Sequence, residues 1–411
     1  IAIHRKFQTR RAAEDSTRLY GEAAQHRMRL SVDGYNARPI AALPCPAMTH
    51  VHDLPDGRLT LTIDRADLPP DELFAIGARA NPRRAFLFVS KVLGKHWPVA
   101  TATLARIHQA LAAKLPDDLP APVLFIGMAE TATALAQGVF EAWLARAPQS
   151  EALYLHTSRL RVAGAETLPF AESHSHASQQ WLHLPDDAEN RRRFHAARSL
   201  VLIDDELSTG DTFRALTAAL TPHLPALQHT HWLCLTDFSP ATADNIPRHS
   251  LLRGSWQYHA QRTPPAAAAT AERAITIADS GHGRLGIRHA LQLPKALLAR
   301  HSIRADARVL VLGTGEYIHP PAVYARELAQ YSGAQVWLQS STRSPAHIWG
   351  ALTHKRDFAD PYDAGVPYYL YNLPPAHDYD HIHICHEHPA NPALRDTAAA
   401  LGARLVQLTQ P

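Results

Sequence analysis

Residues 201–213 read VLIDDELSTGDTF. An apolar run ends in three consecutive acids, and a turn rich in hydroxyls and glycine follows. Carboxylates crowded at the end of a buried strand are costly unless a cation or hydroxyl groups meet them there. Open α/β sheets provide such a place, because ligands bind in the crevice outside the carboxyl ends of their strands. The stretch therefore predicts a strand over Leu200–Ile203, a turn, and a helix from about Thr212.

The chemistry of the turn is specific. Gly210 can adopt a backbone angle that other residues avoid, and the new helix offers unpaired N–H groups at its start. With the hydroxyls of Ser208, Thr209 and Thr212 and the neighbouring Asp211, it forms a nest for a phosphate monoester. Asp204 and Asp205 can accept hydrogen bonds from two vicinal hydroxyls, as on a ribose. A plain helix cap by Ser208 or Thr209, with Asp211 favouring the helix dipole, explains the hydroxyls. It does not explain two acids directly after VLI.

The remaining pattern agrees with an α/β chain. Apolar strand candidates occur at 59–64, 86–89, 123–127, 152–156, 231–235, 308–312, 335–338, 381–385 and 404–408. Helical spacing appears over 101–115, along Leu135, Val139, Phe140 and Trp143, after Phe213, and over 320–330. Near-continuous apolar strands alternating with helices predict a mostly parallel sheet. At 411 residues, two or three domains are expected. TPPAAAAT near 262–270 marks a boundary. The expected division is an N-terminal arm over 1–35, one unit over 36–260 and a second α/β unit over 270–411. The stretch 160–195 reads as a long linker.

Composition excludes several classes. Lys and Arg total 41 against 38 Asp and Glu, a formal charge of +3, so neither a nucleic-acid coat nor an acidic protein is indicated. Cys45, Cys234 and Cys385 are isolated, which argues against a disulfide framework or a cysteine zinc site. No apolar run reaches the roughly 18 residues of a membrane span, and the basic first residues lack a signal-peptide core. A cytoplasmic protein is expected. The 27 histidines fit surface composition, metal binding or phosphate contact.

Three further loops carry chemistry. Gly127, Met128, Ala129, Glu130 and Thr131 follow the strand VLFI. Arg159 follows ALYLHTS, with His156 as a companion. In FAESHSHA, Glu172, His174 and His176 alternate, so an extended segment points all three one way. Lys91, Lys95 and His96 form a basic cluster in SKVLGKHW. In the second unit, Gly313, Gly315 and Glu316 occupy a turn after RVLVL, and Thr342, Arg343 and Ser344 follow QVWLQ. Glu316 would reach a crevice there. Arg343 with its hydroxyl neighbours suits a phosphate or carboxylate, unless Arg343 and Glu316 simply pair with each other.

The 201–213 string resembles the phosphoribosyl-pyrophosphate signature of type I phosphoribosyltransferases. With FVSKVLGKH, FAESHSHA, GTGEY, STRSP and FADPYDAGVPYYLYN, the chain resembles bacterial two-domain proteins. In these, an orotate-phosphoribosyltransferase-like domain is fused to a C-terminal TRSP domain, in the tellurium-resistance and stress-response setting. The resemblance implies a type I fold with a hood, and phosphoribosyl pyrophosphate and magnesium as substrate and cofactor. It also implies a reaction making or cleaving an N-ribosidic bond of a base-like metabolite. Asp204 and Asp205 would hold the ribose hydroxyls, with direct magnesium ligation by them open. Ser208–Thr212 would bind the 5-phosphate, and Gly127–Thr131 with Arg159 the pyrophosphate. Glu172, His174 and His176 would lie in the flexible hood loop, ready for acid–base work, for contact with pyrophosphate or the base, or for a metal. A homodimer and contacts with other stress-cluster proteins fit the resemblance. So does a non-catalytic module that only senses phosphoribosyl pyrophosphate or a nucleotide.

Overall fold

The computed structural model of the chain describes residues 48–79, 81, 84–171, 179–240, 245–262 and 275–408. The arm expected over 1–35, Cys45, and the hood residues Glu172, His174 and His176 lie outside the described residues.

The first set of apolar runs assembles into a seven-stranded sheet. Its order is Met48–Leu54, Gly57–Ala66, Arg248–Ala260, His229–Asp237, Ser199–Leu207, Val123–Gly127, Ala152–His156. The last five are mutually parallel, and the first two add antiparallel. Alternation along each parallel strand feeds both faces. Val201 and Ile203 pack with Phe125, Ile107, Leu135 and Phe140. Leu200 and Leu202 pack with Ile126, Phe194, Phe213 and Leu216. Helices Thr101–Ala112 and Thr133–Arg146 cover one face, and Ala188–His195 and Asp211–Leu220 the other.

A second sheet runs Arg404–Gln407, His381–His386, Arg308–Gly313, Gln335–Ser340, Val99–Ala100. Its first four strands are parallel. The edge pair Val99–Ala100 comes from the N-terminal half and joins antiparallel to Trp337 and Leu338. The two halves therefore share a core: Val99, Leu104 and Ala134 pack with Val309, Tyr324, Leu328 and Leu338. A further small sheet joins Ala346–His347 to Phe74–Arg79 and Phe86–Ser90. All described residues fall in one compact unit.

The segment 160–195 is not a linker. It holds the antiparallel pair Thr167–Ala171 and Gln179–His183 and the helix Ala188–His195. That helix, AENRRRFH, buries only Asn190 and Phe194, so it carries little hydrophobic period. Its start is marked instead by Asp187, whose carboxylate accepts the Asn190 N–H at 2.8 Å. No helix among the described residues is long and apolar enough to cross a membrane.

Candidate functional site

Register brings the sequence-predicted loops of the first sheet level with one another. Gly127 stands opposite both Ile203 and His156. Asp204, Met128 and Thr157 therefore come level with one another toward the carboxyl edge. The acid strand runs on to Leu207, pairing Glu206 with Thr236, rather than ending at Ile203.

Asp204, Asp205 and Glu206 are all half-buried. The Asp205 N–H donates to the Asp204 carboxylate at 2.9 Å. Arg84 donates to Glu206 at 2.8 Å, its guanidinium lying 4.6 Å from the centre of the Phe86 ring. Burial pushes the Asp205 carboxyl above the usual carboxylate range; the Glu206 charge adds to this, while the Asp204 hydrogen bond opposes it. Charge of this kind is relieved by a cation or by hydroxyl donors.

The turn beyond is left-handed at Gly210, φ 82°, and the helix begins at Asp211, one residue before Thr212. A Cβ on Gly210 would lie 2.8 Å from the Trp232 ring. Ser208, Thr209 and Thr212 are half-buried and Asp211 is exposed. Thr209 Oγ1 donates to Asp211 at 2.8 Å, and Arg214 donates to the Thr209 carbonyl at 3.0 Å and to Asp211 at 2.9 Å. Arg214 thus brings positive charge beside the helix start.

The loop at 127–131 is held tightly. A Cβ on Gly127 would come within 2.5 Å of Ala136 Cβ, so helix packing requires this glycine independently of any ligand's approach. The Met128 N–H donates to Ile203 O at 3.0 Å and the Ala129 N–H to Thr157 Oγ1 at 2.8 Å. In this arrangement those two amides brace the loop instead of pointing donors at a pyrophosphate. Glu130 accepts from Lys95 at 2.6 Å and from Arg343 at 2.9 Å. Burial alone would raise the Glu130 carboxyl, but Lys95 and then Arg343 outweigh it and hold the group down at about 2. Thr131 is half-buried beside it.

Lys95 came from sequence only as a member of a basic cluster. It is almost wholly buried and also donates to Gly315 O at 2.7 Å. Its neighbour His96 is kept neutral, pushed down to about 3 by burial and then by the Lys95 charge.

Arg159 lies half-buried past the end of its strand, and its N–H donates to Glu316 at 3.0 Å. His156 is buried, with ring nitrogens 2.8 Å from Thr157 O and 3.1 Å from His282 O.

The second-half residues depart from the pairing the sequence offered. Glu316 does not pair with Arg343, which goes to Glu130. It is buried against Arg284, which donates to it at 2.8 and 2.9 Å, and it accepts from Ser158 Oγ at 2.5 Å. Arg284 also pairs with Glu387, to which Ser280 and Tyr362 donate as well. The turn and the TRSP loop do meet: Gly313 and Ser340 are in register, and the Gly315 N–H donates to Ser341 Oγ at 3.0 Å. Thr342 pairs with Tyr369, its N–H donating at 2.9 Å, and the Ser344 N–H donates to Thr342 Oγ1 at 3.2 Å. Arg343 reaches out of this loop to Glu130. Sequence reasoning missed Arg284 and Glu387. The available signals were the glycine turn SGHGRLG and an acid directly after the strand HIHICH.

Residues 73–252 match the model of a phosphoribosyl transferase family, and residues 282–403 match the TRSP domain that stands C-terminal to it. The chain belongs to the phosphoribosyltransferases that carry a C-terminal TRSP domain. No curated protein matches the sequence. Similar solved structures include an adenine phosphoribosyltransferase from Rhodothermus marinus, 14% identical over 44% of this chain and 94% of that one, TM-score 0.28. Another is the Trypanosoma brucei adenine phosphoribosyl transferase in complex with AMP, pyrophosphate and ribose-5-phosphate, at 11% identity over 45% and 77%, TM-score 0.31. The Mycobacterium tuberculosis orotate phosphoribosyltransferase is 15% identical over 44% and 90%, TM-score 0.26. Overlays this distant say nothing of substrate.

Proposed function

We propose that the chain transfers a phosphoribosyl group between pyrophosphate and a nitrogen of a base-like metabolite, with phosphoribosyl pyrophosphate and magnesium. The observation carrying this reading is the alignment at one sheet edge of three parts. These are the acids Asp204 and Asp205, the helix start after left-handed Gly210, and the Gly127–Thr131 loop. Asp204 and Asp205 accept from the ribose hydroxyls. Ser208, Thr209 and the first N–H groups of the helix at Asp211 hold the 5-phosphate, with Arg214 adding positive charge.

In the forward direction the acceptor nitrogen forms a bond to C1, and the C1–oxygen bond to pyrophosphate breaks. The electron pair leaves on pyrophosphate, and the acceptor's proton goes to a base or to solvent. Ring charge in the transition state is offset by Asp204 and Asp205, and leaving-group charge by Arg159 and the positive surroundings of the 127–131 loop. Positioning supplies much of the rate.

The donor set suits magnesium arriving with its diphosphate. Two half-buried carboxylates stand together, and no described cluster of three or more His, Cys, Asp or Glu is disposed to cage an ion. When bound, magnesium would neutralise charge on the leaving diphosphate.

Calorimetric titration with phosphoribosyl pyrophosphate and magnesium, together with pyrophosphate release across a panel of bases, tests the proposal. Asp204→Asn/Asp205→Asn should keep its fold and lose affinity by about a hundredfold or more, at about 1.5–3 kcal/mol per lost charged hydrogen bond. Unchanged affinity in the folded double variant would sink the assignment. Tight binding without pyrophosphate release from any base would mark a sensing module instead.

A further inference from the structure

The carboxyl edges of the two sheets are tied together at two places. In one, Arg343 of the second half donates to Glu130, whose other oxygen accepts from Lys95, and Lys95 also holds Gly315 O. In the other, Glu316 takes the Ser158 hydroxyl and the Arg159 N–H, while its own carbonyl accepts from Thr133 Oγ1 at 2.8 Å. Every loop of the first sheet assigned above to pyrophosphate is thus gripped by a turn of the second. Just beyond Arg343, Ala346–His347 pairs with Phe74–Arg79, so the gripping loop is fixed at both ends.

We infer that the TRSP half is a working part of the transferase site, and that Arg343 is a positioning residue for pyrophosphate acting through Glu130. This deepens the phosphoribosyl reading and rests on it. Glu130 sits between two cations, Lys95 almost wholly buried and Arg343 with a side chain only 15% exposed. One carboxylate between two cations leaves a positive surplus beside the 127–131 loop, as a diphosphate requires. A planar guanidinium fixes its partner's direction as well as its charge, so Arg343 sets where the loop after Gly127 stands relative to Asp204 and Asp205. The 5-phosphate turn at 208–212 lies outside this tie, which makes the two ends of the substrate separable.

The test uses the full chain. Wild type, Arg343→Gln, Arg343→Lys, Glu130→Gln and the Arg343→Gln/Glu130→Gln double variant are titrated with pyrophosphate plus magnesium and, separately, with ribose 5-phosphate. Circular dichroism checks each fold. Arg343→Gln should weaken pyrophosphate by about fivefold or more and leave ribose 5-phosphate within about twofold, Arg343→Lys should lie between it and wild type, and the double variant should fall within about twofold of Glu130→Gln alone. A smaller pyrophosphate loss, an equal loss for both ligands, or additive losses in the double variant would overturn the inference. If Arg343→Gln does not fold, Arg343→Lys decides, with a selective pyrophosphate loss expected and none overturning it. Wild-type protein that binds neither ligand would remove the phosphoribosyl reading and the inference with it. Wild type binding both, with Arg343 variants unchanged, would remove the inference alone.

Discussion

At the scale of single residues, Arg284 is a buried charge already satisfied, since Glu316 and Glu387 close on it with hydroxyls from Ser158, Ser280 and Tyr362. Burial alone would raise the Glu387 carboxyl; Arg284 outweighs it and brings the group down to about 2 from 4.5. A depressed folded value means that the stabilisation is complete above pH 4.5 and is lost as pH falls toward 2. Urea midpoints should therefore hold between pH 7 and 5 as far as this group is concerned, then drop below 4.5. Glu387→Gln should cost about 3 kcal/mol at neutral pH, as a broken buried pair does, yet show a flatter acid limb. An acid limb as steep as wild type would show that Glu387 does not control it. Of this cluster only Glu316 stood out in the sequence, and its partners did not, because the members lie at 158, 280, 284, 316, 362 and 387 with no local pattern linking them.

Among elements, the 208–212 turn and the 127–131 loop depend on glycine for different reasons. Gly210 needs a left-handed backbone and lies against Trp232, while Gly127 needs room for Ala136. Gly164 also has a positive φ, 75°, but nothing lies within 4 Å of its missing Cβ. Gly164→Ala should cost only the left-handed penalty, about 1–2 kcal/mol. Gly210→Ala should add an overpacking cost of about 1–3 kcal/mol and weaken 5-phosphorylated ligands. Equal urea midpoints for the two variants would contradict the Trp232 contact. Strands such as Val123–Gly127 and Ala152–His156 were readable to the residue, because strands buried on both faces are uniformly apolar. Gln179–His183 and Ala188–His195 were not: one opens with two glutamines, and the other is mostly polar with one large apolar side chain. The acid turn was legible because its chemistry is contiguous. The grip of Arg343 on Glu130 joins residues 213 positions apart and leaves no such trace.

For the whole molecule, the shared core sets how it unfolds. Val99, Leu104 and Ala134 are buried in the second half's cluster, and helix His319–Ser332 packs on both Thr101–Ala112 and Thr133–Arg146. Calorimetry should show one cooperative transition, and a chain ending at 262 should lose solubility as these residues become exposed. Two well-separated transitions, or a soluble and cooperatively folding 48–262 piece, would show that the halves are energetically independent.

The borrowed edge strand has a consequence for synthesis. Val99–Ala100 leaves the ribosome long before Trp337–Leu338 exists to pair with it. At about 5–20 residues per second the wait is on the order of ten seconds or more. Through that interval the nascent first half has an unclosed apolar face, and its loop at Glu130 has no Arg343 to steady it. Under the role proposed for Arg343, a polypeptide released early carries the acid signature without a finished diphosphate pocket. Catalytic competence then arrives only with the last third of the chain, and prematurely terminated product would leave the activated sugar unconsumed.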